Sequence, residues 1–298
     1  MLVIKSTEKI QIEGRDVLLT NIDKIIWPEL GLTKFHLIDY YIKIYPYIKC
    51  HLFNRPLAFN RFPDGIYGKN FYQKNFKDSV PDWINTMEIN SKSQKESKKY
   101  VMVDHLSTLV WLSNLGCIEI HPWLSRTKNL DKPDYVVFDL DPMEGVSFTD
   151  VKKTAMVLNQ VLVELELRGY PKLSGSTGLQ VFLPLKPIYT YKKVREFARK
   201  VMEVVNELLP DITTLERKVE KRGAKIYLDY MQNVKGKTIA VVYGLRPHKT
   251  APVSAPIKWK ELEKEETKPD SFNIFNIFER LEKMGDLFYP ALWDKQEI

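Results

Sequence analysis

The most regular alternation of hydrophobic and polar positions lies in the middle of the chain. Residues 135–141 (YVVFDLD) are rich in β-branched and aromatic side chains and stop at Pro142, which predicts a strand. Ser147, three residues ahead of Asp150, opens a predicted helix. In it Val151, Ala155, Leu158, Leu162 and Leu165 recur at helical spacing, and Gly169 is the expected stop. A turn of small residues (SGSTG, 174–178) and a strand over 179–185 follow. A second amphipathic helix carries Val194, Phe197, Val201, Val205 and Leu208 on one face. Strands over 225–230 and 238–243 complete an α/β (α+β) unit whose strand order the pattern leaves open.

Upstream, residues 117–123 (CIEIHPW) alternate so that Ile118 and Ile120 share one face, and Glu119 and His121 the other. Two charged stretches, 90–99 and 261–270, read as surface loops within one domain spanning 1–298, and the catalytic motifs fall within 117–246.

Composition narrows the classes. A hydrophobic fraction of 44% and a charged fraction of 28% are those of a soluble globular protein. No apolar run is long enough to span a bilayer, and the N-terminus turns polar too soon for a signal peptide. Cys50 and Cys117 are the only cysteines and lie far apart, which excludes a disulfide framework and a zinc ribbon and fits a cytoplasmic setting. The net charge of +7 and a pI near 9.1 suit a nucleic-acid partner.

The candidate chemistry starts at Asp139-Leu140-Asp141. Alternate side chains of a strand share a face, so the two carboxylates project together, roughly 7 Å apart at the backbone. Paired carboxylates repel unless a cation joins them, and Mg²⁺ or Mn²⁺ is the hard ion such oxygens favour. A cap on the turn at Pro142 accounts for the tripeptide as well. Asp229 adds a third acid at the end of another predicted strand, among apolar neighbours. Three carboxylates on neighbouring strands suit a two-metal site; a salt bridge from Asp229 to a nearby cation is the alternative. His121 is either a donor to a triphosphate or a satisfied strand-end histidine. The SGSTG turn lets backbone N–H groups approach a phosphate, although no Walker sequence follows it. The basic residues 192–200 read as a solvated helix face, whereas Arg217, Lys218, Lys221, Arg222 and Lys225 cluster just before Asp229.

Six segments, in order, resemble the polymerase domain of bacterial ligase D and its stand-alone relatives in the archaeo-eukaryotic primase superfamily. They are Arg55-Pro56-Leu57 with Pro63-Asp64-Gly65, FYQK (71–74), Glu119-Ile120-His121, YVVFDLDP (135–142), SGSTGLQVFLPL (174–185) and YLDYMQNVKGKTIAVVYGLR (227–246). The likeness runs from about Thr20 to Trp293. It implies a primase-polymerase fold of two packed lobes, the catalytic one like an RNA-recognition motif. It also implies a nucleotidyltransferase working with two Mn²⁺ or Mg²⁺ ions on Asp139, Asp141 and Asp229. His121, Ser174, Gln232 and Arg246 would contact the incoming nucleotide, with Arg61, Lys74 and Arg222 near the site. Lys24 and Lys34 would grip a recessed 5′-phosphate, and Phe71 and Tyr72 would stack on template bases. The implied partners are gapped or broken DNA, nucleoside triphosphates, a separate ATP-dependent ligase and an end-binding protein. The implied role is ribonucleotide-preferring extension in non-homologous end joining. A primase or excision-repair polymerase of the same superfamily, or a non-catalytic end-binding module, are the rival readings. Thr177 and Gln180 depart from the family, which commonly has Lys and His there.

Overall fold

The computed structural model describes residues 7–77, 79–90 and 97–298. The N-terminal segment weighed as a signal peptide lies largely outside the described residues, as does most of the charged 90–99 stretch. The first lobe begins with a hairpin, β1 (Thr7–Ile12) and β2 (Arg15–Thr20), then the short pair β3 (Ile25–Trp27) and β4 (Leu32–Thr33), and helix α1 (Lys34–Leu52). β5 (Leu57–Arg61), β6 (Phe71–Gln73), β7 (Thr86–Asn90) and β8 (Ser97–Val101) precede α2 (Leu106–Asn114) and β9 (Cys117–Pro122). These form a sheet in the order β6-β5-β8-β7, with β9 also paired to β5. Residues expected as loop at 97–99 therefore begin β8, and Glu88 and Lys99 stand opposite each other in the β7–β8 ladder.

The second lobe contains β10 (Tyr135–Pro142), α3 (Phe148–Glu164), β11 (Tyr170–Leu173), β12 (Leu179–Pro184), α4 (Tyr191–Leu208), β13 (Thr213–Thr214) and β14 (Ile226–Asp229). Its sheet runs β11-β12-β10-β14-β13, antiparallel except for the short β13–β14 pair. This is the strand order of an RNA-recognition motif with one strand added at an edge. The C-terminal segment returns to the first lobe through α5 (Ile277–Met284), whose Ile277 and Leu281 join that lobe's core.

β10 serves two cores because its side chains alternate. Val136, Phe138 and Leu140 pack on Val151, Leu158, Val194 and Val201 of α3 and α4. Tyr135 and Val137 face the other way and join Tyr40, Phe59 and Ile120 of the first lobe. Asp139 and Asp141 continue the inter-lobe face.

Four expectations need correction. α3 ends at Glu164 rather than at Gly169: Glu166 takes a left-handed φ of 57°, and Leu165 is left 49% exposed. Leu208, expected on the buried face of α4, is 59% exposed, while Ala198 and Met202 are buried there instead. Residues 238–243 make no ladder; they cross to the first lobe, where Val241 N–H donates to Ile120 O, and Tyr243 has a φ of 64° that ends any extended run. The stretch 261–270 is not merely a surface loop, since Glu261 accepts both guanidinium nitrogens of Arg280 at 2.7 Å. β11, hidden in the sequence by Pro171 and its brevity, forms with β12 the hairpin that the SGSTG turn closes.

The lobes are also tied by a buried ion pair. Arg55 donates to both oxygens of Asp134 at 2.7 Å and to Trp123 O at 3.0 Å, with its guanidinium over the Tyr135 ring. Arg126 shares the same carboxylate. Removing one partner of such a pair strands the other charge away from water. Arg55→Met is therefore expected to lower the unfolding free energy by about 3 kcal/mol, measured by urea denaturation; a change within error of wild type contradicts this.

Candidate active site

The register of β10 decides the site. Asp139 stands directly opposite Asp229 on β14 and opposite Gln180 on β12, and Gln180 stands opposite Lys172 on β11. Directly opposed residues share a face, so Lys172, Gln180, Asp139 and Asp229 form one row across four strands. Asp141, two residues on, lies on the same face and is exposed.

The acids feel one another. Burial, and then the charges of Asp229 and Asp141, push the Asp139 carboxyl up to about 6, against the interactions of Gln180 and Gln232. Burial also raises Asp141, opposed by Arg222, whose guanidinium lies 3.6 Å from the centre of the Tyr227 ring. Among the described residues no three His, Cys, Asp or Glu side chains converge into a closed cage. The reason is visible in their partners: Asp229 Oδ1 accepts Met231 N–H at 2.9 Å, Gln232 Nε2 donates to Asp139 Oδ2 at 3.4 Å, and Asp141 turns toward solvent. The donor set still fits a hard divalent cation, because three acids share a face and the central one is held above its ordinary range by burial and then by its neighbours' charge.

Backbone staples keep the acids in place. After β14 the chain turns at Tyr230–Asn233, where buried Asn233 accepts Val137 N–H at 2.9 Å and donates to Val137 O at 2.7 Å. That pair locks the turn bearing Gln232 against β10. On the other side, a Cβ at Gly178 would collide with the Leu140 carbonyl, so only glycine lets the turn pass this close to β10. Ser174 Oγ accepts the N–H groups of Ser176 and Gly178 at 3.1 and 3.0 Å, which shapes the turn, while Thr177 is exposed at its tip.

The first lobe supplies the cations and the imidazole. Glu119 is buried among Arg246 (3.0 Å), His121 (3.7 Å) and Asn60, which donates at 2.7 Å. Burial works against its charge, yet His121 and Arg246 hold the carboxyl down to about 2. Burial, more than any other cause, also pushes the His121 imidazole below its ordinary value, so its ring favours the neutral form. Tyr72 meets His121 edge-on at 5.7 Å and hydrogen-bonds Thr238 at 2.6 Å. Lys74 sits 5.6 Å from the Tyr72 ring. Phe71 and Tyr72 are neighbours in β6 and face opposite sides, so the two rings do not make one platform. Both line an open cleft of about 700 Å³ together with Arg61, Lys74 and Lys98.

Arg61 lies at a register shift in β5 and donates to Gln73 and Leu115 O. Lys24 and Lys34 sit apart from the acids. Lys34 opens α1, donates to Asn114 O at 2.9 Å and to Thr20, and is lowered to about 8 by burial and then by the Lys24 charge. Lys24 pairs with Asp64.

The structure also brings in residues that the sequence reading assigned no role. Lys172 gave no signal beyond being a charged residue between Pro171 and Leu173, whereas Glu119 was marked by sharing a strand face with His121 and by the Glu119-Ile120-His121 segment. Asn60 and Asn233 gave none.

An RNA-recognition-motif sheet with acids opposed on its central strands, facing a cationic lobe, is the architecture of a primase-type polymerase. Residues 33–288 match the family model described as LigD, primase-polymerase domain, and the chain belongs to that family. It is 33% identical over 279 residues to the bifunctional non-homologous end joining protein LigD of Bacillus subtilis, which covers 93% of this chain and 44% of that protein. It is 31% identical to the multifunctional non-homologous end joining protein LigD of Mycolicibacterium smegmatis, over 92% of this chain and 36% of that protein. The chain thus spans less than half the length of these relatives. The polymerase domain of Mycobacterium tuberculosis ligase D, solved in complex with DNA, superposes with a TM-score of 0.86 at 26% identity, covering 94% of this chain and 99% of that one. As a family member the chain is a primase-polymerase domain, a nucleotidyltransferase of a metal-dependent family. No described helix is long and apolar enough to cross a membrane.

The raised Asp139 carboxyl has a measurable consequence. Its folded value of about 6 lies above the 3.8 of a free aspartate, so without metal the stability of the neutral form is present below about pH 4 and lost as pH rises through about 6. Asp139→Asn is expected to raise the Tm of the metal-free protein near neutral pH and to leave it unchanged in acid. A lower Tm at neutral pH would count against the crowded-acid site.

Proposed function

We propose that the chain extends a primer 3′-hydroxyl with nucleoside triphosphates, ribonucleotides preferred, at short gaps or synapsed double-strand-break ends in non-homologous end joining. The observation that carries this is the Asp139–Asp229 register, with Asp141 on the same face, opposite the cations of the first lobe. Asp139, Asp141 and Asp229 would hold two divalent ions, Mn²⁺ or Mg²⁺, which when bound supply Lewis-acid polarisation and charge neutralisation. The 3′-hydroxyl attacks the α-phosphorus and pyrophosphate leaves.

The remaining residues orient and neutralise. Arg246, fixed by Glu119, presents a guanidinium to the triphosphate, the fork geometry that suits phosphate oxygens. Ser174 keeps a hydroxyl donor in the turn, and His121 offers a ring N–H beside Arg246. Gln232 supports Asp139, while Lys74, Arg61 and Arg222 add positive charge around the cleft. Phe71 and Tyr72 offer exposed ring faces to unpaired bases, a sequence-tolerant grip. Lys24 and Lys34, close enough to depress the Lys34 pKa at the start of α1, suit the recessed 5′-phosphate. A separate ATP-dependent ligase and an end-binding protein would complete the repair. The DNA complex of the M. tuberculosis domain supports DNA as the substrate here.

The test is primer extension on a gapped duplex with Mn²⁺ or Mg²⁺ and either sugar. Asp139→Ala and Asp229→Ala should each reduce extension by about a hundredfold to a thousandfold. Lys24→Ala should abolish about a tenfold preference for a 5′-phosphorylated gap while leaving extension on an open template intact. Equal extension by wild type and Asp139→Ala contradicts the polymerase reading; dinucleotide synthesis without a primer would favour a primase.

A further inference from the structure

Lys172 is 0% exposed, at the end of the row that contains the acids. A buried ammonium is costly, and an apolar side chain of the same length would fill the space at lower cost. Its Nζ donates to Gln180 Oε1 at 2.6 Å and to Ser254 Oγ, and lies 5.6 Å from the Phe182 ring centre. The Ser254 hydroxyl in turn donates to Leu173 O at 3.2 Å, so it can only accept from the lysine.

This arrangement fixes an amide. In its charged form Lys172 has three donors and no acceptor, so Gln180 presents its oxygen to it, as the 2.6 Å contact shows. Flipping the amide would set NH₂ against NH₃⁺. With Oε1 held, Nε2 is directed along the row to Asp139, with which the Gln180 side chain interacts. Gln232 reaches the same carboxylate from the turn after β14. Two amides thus bracket one acid, the arrangement by which outer residues orient metal ligands.

We propose that Lys172 is a positioning residue, whose ammonium locks the Gln180 amide so that it donates to Asp139 and holds that carboxylate ready for a divalent cation. The proposal rests on the polymerase reading of the three acids. Without the lysine, Gln180 is free to turn its carbonyl toward the carboxylate and repel it.

The test is calorimetric titration of Mn²⁺ into the metal-free 298-residue chain, without DNA or nucleotide, alongside the metal-free Tm. Lys172→Met and Gln180→Leu should each weaken Mn²⁺ binding about tenfold. The double variant should bind no more weakly than either single one, because both act through one contact. Unchanged Mn²⁺ affinity in Lys172→Met with a lowered Tm would make the lysine merely structural and overturn the proposal, as would losses that multiply in the double variant. If Lys172→Met does not fold, the comparison of the double variant with Gln180→Leu decides: equal affinity upholds the relay, and a further tenfold loss overturns it. Failure of the underlying reading is distinct, since Asp139→Ala would then bind Mn²⁺ as tightly as wild type.

Discussion

The pairing of β10 with β14 places two carboxylates directly opposite each other in the middle of a sheet, where their repulsion opposes folding. What holds that register is the other face of the same strands. Phe138, Leu140, Ile226 and Leu228 are fully or almost fully buried beneath α3 and α4, and a slip by one residue would exchange them with the acids. The apolar face therefore fixes the acids, and Asn233 pins the following turn to β10 so that the end of β14 cannot drift. Charge is concentrated on one side of the strand because packing on the other side leaves no alternative.

The remainder of the molecule is arranged around that charge. β10 contributes alternate residues to two cores, so the inter-lobe face that carries Asp139 and Asp141 is also the surface against which the first lobe packs. The first lobe brings Arg246 and His121 to it, and buried Glu119 ties both to Asn60. At the opposite end of β10 the Arg55–Asp134 pair fastens the lobes, so the strand is anchored where it begins and carries the acids where it ends. Lys172 and Gln180 extend the same logic sideways through the sheet.

The catalytic lobe was largely legible because strong periodicity and β-branched runs mark β10, β12, α3 and α4. The acids were legible too, as alternation puts Asp139 and Asp141 on one face whatever the fold. That Asp229 stands opposite Asp139 was not, since strand order and register depend on contacts between segments ninety residues apart. β11 escaped because a four-residue strand containing Pro171 has almost no pattern, and with it went Lys172. The run 238–243 reads as a strand by composition, but its apolar residues serve the first lobe's core from an irregular backbone. The roles proposed for Lys24, Lys34 and Arg61 rest only on family resemblance, as their positions depend on a loop, a helix start and a bulge that sequence patterns do not encode.

Membership in the LigD primase-polymerase family explains why these features occur together, and the geometry explains how they can act. The central claim is that the three acids form a divalent-cation site. Anomalous diffraction from crystals soaked in Mn²⁺ tests it most directly. The account predicts manganese density within bonding distance of Asp139, Asp141 and Asp229, absent in Asp139→Ala. Manganese bound elsewhere, with these carboxylates bare, would contradict it.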